Sequence, residues 1–187
     1  MELIGSGAQA DIYKDNSMAI KLFKYNIHKE EVENEFNLQR MAFEYGLPVP
    51  KVFDIIEIDD KSGIVMEFID GTPLGKIILK NIFKAKKYLV KSIDIQDSIH
   101  KIETDSFPNM KDKLKYFILC AKELNNMEKE KIMLKLEDIN FDNKLCHGDF
   151  HIFNLLQTSN EMKIIDWICA SSGNIEADIY GTYLLYR

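Results

Sequence analysis

One stretch constrains this chain more than any other: Leu-Cys-His147-Gly148-Asp149-Phe150-His151-Ile152-Phe153-Asn154-Leu-Leu, followed by Lys163-Ile-Ile-Asp166-Trp167. Its first part is too short and too Gly-interrupted for a helix, so His147, Asp149 and Asn154 share a tight loop. The apolar runs 155–156 and 162–165 read as a small hairpin that turns at Thr158-Ser159-Asn160. Such a hairpin brings Asp166 back beside Asn154 and Asp149. Oxygen-bearing side chains gathered at a strand edge suit a hard cation such as Mg2+ and a phosphate. The rest of the chain must then supply a place for a nucleotide.

Composition narrows the class. The chain has 187 residues, enough to bury a real core as one large domain or two small lobes. A net charge of −6 leaves no basic excess to neutralise phosphates, which argues against nucleic-acid binding. Cys120, Cys146 and Cys169 are an odd number without a CxxC pair or zinc spacing, and read as reduced thiols. Met1-Glu2-Leu3-Ile4 runs straight into Gly5-Ser6-Gly7, with no charged-then-apolar leader, and no apolar run approaches the ~20 residues that span a bilayer. The expectation is a cytoplasmic protein with no membrane contact.

Residues 3–23 read as two or three short strands around Gly5-Ser6-Gly7-Ala8-Gln9-Ala10. The glycines would let backbone N–H groups approach phosphate oxygens, although Gly-x-Gly also marks ordinary hairpins. In 18–23, alternation puts Ala19, Lys21 and Phe23 on one face and Met18, Ile20 and Leu22 on the other. A lysine in so apolar a strand either snorkels to solvent or finds a partner. The segment 29–45 reads as a helix carrying Val32, Phe36 and Phe43 near helical period and ending at Gly46-Leu47-Pro48. Glu35, with Leu38 and Ala42 at i+3 and i+7, faces inward and is placed to meet Lys21, or else belongs to a solvated acidic first turn. Residues 51–58 and 63–68 read as an antiparallel pair. Ile69-Asp70-Gly71 then breaks the pattern, and Thr72-Pro73 reads as an N-cap followed by proline at the first helical position. Helices are expected over 74–84, 86–103, 110–124 and 128–139, with Met110, Leu114, Phe117, Ile118 and Ala121 as the apolar stripe of the third.

A strand-rich first lobe, a short hinge, a helical lobe and then the motif at 147–167 resemble a kinase. More closely, the chain resembles the aminoglycoside phosphotransferase and choline-kinase-like family, a small-molecule branch of the protein-kinase-like superfamily. The resemblance runs through nearly the whole chain and is most specific at His147-Gly148-Asp149-x-His151-x-x-Asn154 and Ile164-Ile165-Asp166-Trp167. The step from Asp149 to Asn154 matches a kinase catalytic loop, and Asp166 falls where the metal-binding aspartate is expected. The resemblance implies an α+β, two-lobed protein-kinase-like fold. It has an antiparallel-sheet nucleotide-binding lobe over 1–66, a hinge over 67–72 and a helical lobe over 73–187.

It also implies roles, position by position. Lys21 holds the α/β-phosphates with Glu35 fixing it, and Gly5, Ser6 and Gly7 belong to the loop over them. Ala19 and Leu156 belong to the nucleotide site, and main-chain groups of Glu67, Phe68 and Ile69 pair with the base. Asp149 takes or orients the acceptor hydroxyl proton. Asn154 and Asp166 coordinate Mg2+ bridging the phosphates of ATP or GTP. Asp178 and His147 support the loop, and His151 either braces it or touches substrate.

The sequence departs from a protein kinase in three places. Ala10 stands where a third loop glycine is common, and His151 where serine/threonine kinases place lysine. Only 21 residues follow Asp166, too few for an activation segment and a peptide-docking lobe. That tail is also short for the small-molecule family, whose later helices help build the acceptor pocket. An apolar helix reaching Leu184-Leu185-Tyr186-Arg187 is expected to leave hydrophobic surface exposed and to favour a homodimer. The leading expectation is a phosphotransferase acting on a hydroxyl of an aminoglycoside-like molecule, amino alcohol or sugar. The alternative is a catalytically silent nucleotide-binding or regulatory protein.

Overall fold

The computed structural model describes residues 1–186. In chain order the strands and helices are β1 (Glu2–Ser6), β2 (Ala10–Asp15), β3 (Met18–Phe23), α1 (Lys29–Glu44), β4 (Val52–Ile58), β5 (Lys61–Glu67), β6 (Thr72–Pro73), α2 (Leu74–Lys80), α3 (Ala85–His100), α4 (Met110–Cys120), α5 (Asn126–Glu137), β7 (Lys144–Cys146), β8 (Leu155–Gln157), β9 (Met162–Ile164), β10 (Ser171–Gly173) and α6 (Ile175–Leu185). They form two compact units. The first comprises residues 1–92 and 151–168 and the second 93–150 and 169–186, so the chain passes from one to the other within α3 and again after Phe150 and after Ile168.

The first unit is built on a five-stranded antiparallel sheet in the order β1-β2-β3-β5-β4. The alternation read in β3 sorts its side chains as expected. Phe23 joins Ala10, Val32, Val52 and Ile64 in the core under α1, while Ile20 and Leu22 pack with Val65 on the opposite face. Helix α1 buries Val32, Glu35, Leu38, Gln39 and Ala42. Phe43 is instead exposed, because the buried stripe runs through 32, 35, 38, 39 and 42 and leaves 43 at its edge. The helix stops where Gly46 takes φ +78°, a left-handed conformation that costs glycine little.

A second, three-stranded sheet in the order β6-β8-β9 completes this unit. It corrects one expectation: Thr72 does not cap a helix but pairs with Gln157, and Pro73 pairs with Leu156. Pro73, at ψ 132°, is itself the N-cap of α2, so the proline ends a strand edge rather than opening a helix. The expected helix over 74–84 is correspondingly broken at Asn81, whose side chain accepts from Phe83 N–H and starts a separate 3-10 turn.

In the second unit β7 pairs antiparallel with β10, Cys146 opposite Ser171. Ile99, Phe107, Leu145, Cys146, Phe150 and Ala170 are buried here. Helix α4 ends at Cys120 rather than at 124, because Ala121 turns extended. Helix α5 begins at Asn126 because a reciprocal capping box between Asn125 and Glu128 satisfies its first amides, at 3.0 and 2.9 Å. The expected apolar stripe of α4 buries only Met110 fully, and Phe117 is exposed.

Candidate active site

In the first unit, period-2 alternation aims Lys21 of β3 to the same side as Phe23, and the 3.6-residue period aims Glu35 of α1 inward. The two meet as an ion pair. Glu35 is almost fully buried, at 2% side-chain exposure, and Lys21 keeps 15%. The Lys21 ammonium also donates to Asp166 Oδ1 at 3.3 Å. Burial works against the ammonium, yet the two carboxylates overcome it and hold the Lys21 pKa above its ordinary value. Burial likewise pushes the Glu35 carboxyl up, opposed by Lys21. Two ionised groups at this depth persist because each offsets the other's desolvation.

Asp166 follows β9 with φ +68°, in the left-handed region that non-glycine residues seldom occupy. Backbone strain of that kind recurs at functional sites. Ile165 N–H donates to Asn154 O at 3.0 Å, which ties the start of the hairpin to the segment bearing Asp166. Asn154 is buried, and its own N–H donates to His151 O at 2.9 Å. His151 also accepts Phe153 N–H at Nδ1, 3.1 Å, closing a local turn. A carboxylate and a carboxamide are the hard oxygen donors that Mg2+ takes, completed by water and phosphate oxygens, so the donor set fits that ion.

Lys21, Glu35 and Asp166 line one wall of a cavity of about 640 Å3 in this unit. Gly5, Ser6, Gly7, Ala19, Glu67, Phe68, Ile69 and Leu156 line it as well. The loop and hinge refine the expectation. Gly7 N–H is spent on Ala10 O at 2.8 Å, so it is not one of the amides that face a ligand. Glu67 N–H donates to Lys51 O and Phe68 N–H to Ser17 O, at 2.8 and 3.2 Å. Of the three main-chain amides expected to pair with a base, those of Glu67 and Phe68 are thus already engaged. Gln39 and Met66, absent from the sequence reading, also line the cavity, and Gln39 Nε2 donates to Pro50 O at 2.8 Å.

The second unit shapes the loop that carries Asp149. His147 is fully buried, its ring edge-on to Phe150 with centroids 5.8 Å apart, and its Nδ1 faces Asp149 N–H at 3.3 Å. Gly148 takes φ +81°, and a Cβ there would stand 2.3 Å from Cys169 O, so only glycine fits. Asp178 of α6 gathers four donors. Gly148 N–H reaches Oδ1 at 2.7 Å. His147 N–H at 3.4 Å, His100 Nε2 at 2.8 Å and Gln96 Nε2 at 3.2 Å all reach Oδ2. Burial opposes its charge, but His100, Gly148 and Gln96 outweigh that and hold its pKa below the usual carboxylate value. Gln96 and His100 were not singled out from the sequence. Their signal is the set Ser92, Gln96 and His100, three buried polar residues four apart on one face of α3.

Comparison with known proteins places this geometry. No curated protein sequence matches the chain. Solved structures with the same fold include an aminoglycoside-3'-phosphotransferase of type VIII, 17% identical at TM-score 0.68, with 98% of this chain and 75% of that one aligned. A choline/ethanolamine kinase family protein from Mesorhizobium loti is 17% identical at TM-score 0.65, over 98% of this chain and 63% of its own. A thermostable mutant of an aminoglycoside phosphotransferase, in ternary complex with AMP-PNP and hygromycin B, is 15% identical at 0.65, over 92% and 67%. The chain thus spans about two thirds of the length of several structures it resembles. These likenesses establish a kinase-like α+β fold. Residues 2–187 match the sequence model of the phosphotransferase enzyme family, and the chain belongs to that family.

Proposed function

We propose that this chain is a small-molecule phosphotransferase that moves the γ-phosphate of ATP or GTP to a hydroxyl of a small acceptor, aminoglycoside-like, amino alcohol or sugar. The observation that carries the reading is Lys21, held by both Glu35 and Asp166 on the wall of the 640 Å3 cavity, in a chain of this family. In functional terms the nucleotide lobe is 1–66, the hinge 67–72 and the acceptor-side lobe 73–187. Lys21 meets the α/β-phosphates, the Ile69 amide and neighbouring carbonyls meet the base, and Ala19 and Leu156 enclose its faces. Asp149 takes or orients the hydroxyl proton, with its loop held by His147, His151 and Asp178. Asn154 and Asp166 would hold Mg2+, which supplies neutralisation of phosphate charge when bound. The chain's own contribution is to align donor and acceptor and to present positive charge where negative charge accumulates.

The reading places the enzyme in the cytoplasm, and among the described residues no helix is long and apolar enough to cross a membrane. A homodimer through α6 belongs to the same proposal, motivated by the exposure of Tyr180, Tyr183 and Leu184 on that helix. A strictly monomeric mass by light scattering at every concentration would remove it.

Calorimetric titration with Mg-ATP and Mg-GTP, then a screen of γ-phosphate transfer to aminoglycosides, amino alcohols and sugars, tests the function. Nucleotide binding without transfer to any acceptor would favour a silent nucleotide-binding protein instead. Lys21→Met keeps the stem and removes the charge. It is expected to weaken triphosphate binding at least ~10-fold, as loss of a charge-assisted contact does. With Lys21 gone, burial pushes the Glu35 carboxyl further up. Unchanged triphosphate affinity in this variant would remove Lys21 from the phosphate site.

A further inference from the structure

The loop between β1 and β2 is anchored by a residue to which neither the sequence reading nor the family match assigns a role. Lys24, just past β3, makes two bonds to it. Its Nζ donates to Gly7 O at 2.6 Å, and its backbone N–H donates to Gln9 O at 2.9 Å. Lys24 lies outside the cavity lining, whereas Gly7, Ala8 and Gln9 are all part of it.

Peptide geometry makes this anchoring directional. A trans peptide is planar, so the carbonyl of residue i and the N–H of residue i+1 point in opposite directions. With Gly7 O drawn to Lys24, the N–H of Ala8 is turned the other way. A loop whose carbonyls faced a phosphate chain would repel it, whereas one whose amides face it forms an anion-binding concavity. The neighbouring Gly7 N–H is occupied by Ala10 O, so the orientation of the 7–8 peptide decides whether the next amide, that of Ala8, is on offer. Across the base of the loop, Ser6 Oγ donates to Asp11 Oδ1 at 2.6 Å, where the two residues pair as the last of β1 and the second of β2.

We propose that Lys24 is a positioning residue of the glycine loop: by holding the Gly7 carbonyl outward it presents the Ala8 N–H to the phosphate chain of the nucleotide. This rests on the nucleotide-binding reading above and goes beyond it, because Lys24 contacts the loop and not the ligand. It follows that Lys24 governs affinity for the phosphates and leaves affinity for the base untouched.

The test uses the full chain, with Mg–AMP-PNP, Mg–GMP-PNP, adenosine and guanosine titrated into wild type, Lys24→Met and Lys24→Arg. If wild type binds neither triphosphate analogue, the function reading itself fails. Given binding, Lys24→Met is expected to weaken the preferred analogue ~10-fold, the scale of one lost hydrogen bond to a charged partner, with nucleoside affinity unchanged. Lys24→Arg, which keeps a donor within reach of Gly7 O, restores affinity to within ~3-fold. In turnover the change falls on the nucleotide KM rather than on kcat. Equal losses for nucleoside and triphosphate would mean general damage to the lobe and overturn the proposal, as would no loss at all. A loss that disappears at about 0.5 M salt would put the ammonium on the phosphates directly and also overturn it.

Discussion

Asp149→Asn is expected to lower the rate of phosphoryl transfer by about a thousandfold, about 4 kcal/mol of transition-state stabilisation, while nucleotide affinity stays within about twofold of wild type. Asparagine has the same shape but cannot accept the hydroxyl proton. The loop keeps its main-chain anchors in this variant. It is held by the main-chain bond to His147 Nδ1, by the conformation of Gly148, and by Asp178 beneath Gly148. The substitution therefore separates chemistry from folding, which an alanine at Gly148 would not. Single-turnover measurements are the check, because slow product release can hide a chemical defect in steady-state kcat. A single-turnover rate within tenfold of wild type would take the proton-accepting role away from Asp149.

The second large effect concerns stability. Asp178→Ala removes the shared acceptor of Gly148 N–H, His147 N–H, His100 Nε2 and Gln96 Nε2, and of the two side-chain donors only Gln96 keeps a second acceptor among the described residues, Thr182 Oγ1 at 2.9 Å. Breaking a buried, hydrogen-bonded carboxylate network of this kind costs about 3–5 kcal/mol, a large share of the stability of a domain this size. Urea unfolding at neutral pH reads it directly, and a loss under about 1 kcal/mol would show that the network is dispensable. The pH dependence has a definite sign. The Asp178 pKa in the fold lies below its ordinary value of 3.8, so the native state favours the ionised form more than the unfolded chain does. Its stabilisation is complete above that ordinary value and is lost as pH falls through the lowered one. The stability gap between wild type and Asp178→Asn should thus be constant from pH 7 to pH 5 and narrow only in more acidic solution.

The two acidic centres differ in how far the sequence revealed them. Lys21 and Glu35 were legible because each lies in a regular element whose period aims it. A strand alternates every two residues, a helix returns every 3.6, and a charged residue falling on the apolar side of either must be paired. The hairpin after Asn154 was legible for a related reason: Asp166 lies 12 residues along a short antiparallel pair, and β8 and β9 return it by local pairing alone.

The donors around Asp178 obey no such local rule. Gln96 and His100 stand 82 and 78 residues away from it, and nothing in the spacing of α3 says which partner its buried polar face will meet. Thr72-Pro73 failed for the opposite reason. Its local chemistry favours a helix start, but pairing with β8 offers backbone hydrogen bonds that outweigh that preference. Phe43 and Phe117 misled because a stripe of apolar residues shows that a helix has a buried side, not how wide that side is.

The stretch at 147–167 shows the division most clearly. Its residue types and spacing were enough to nominate Asp149, Asn154 and Asp166 for phosphate chemistry, since loop length and hairpin pairing are local properties. Only the tertiary structure decided how that loop is held. Cys169 O occupies the space a side chain at Gly148 would need, and Asp178 collects amides from the loop and side chains from α3, two segments far apart in the chain. Such a network needs the chain already folded, because its hydrogen bonds are worth making only where burial has removed the competing water.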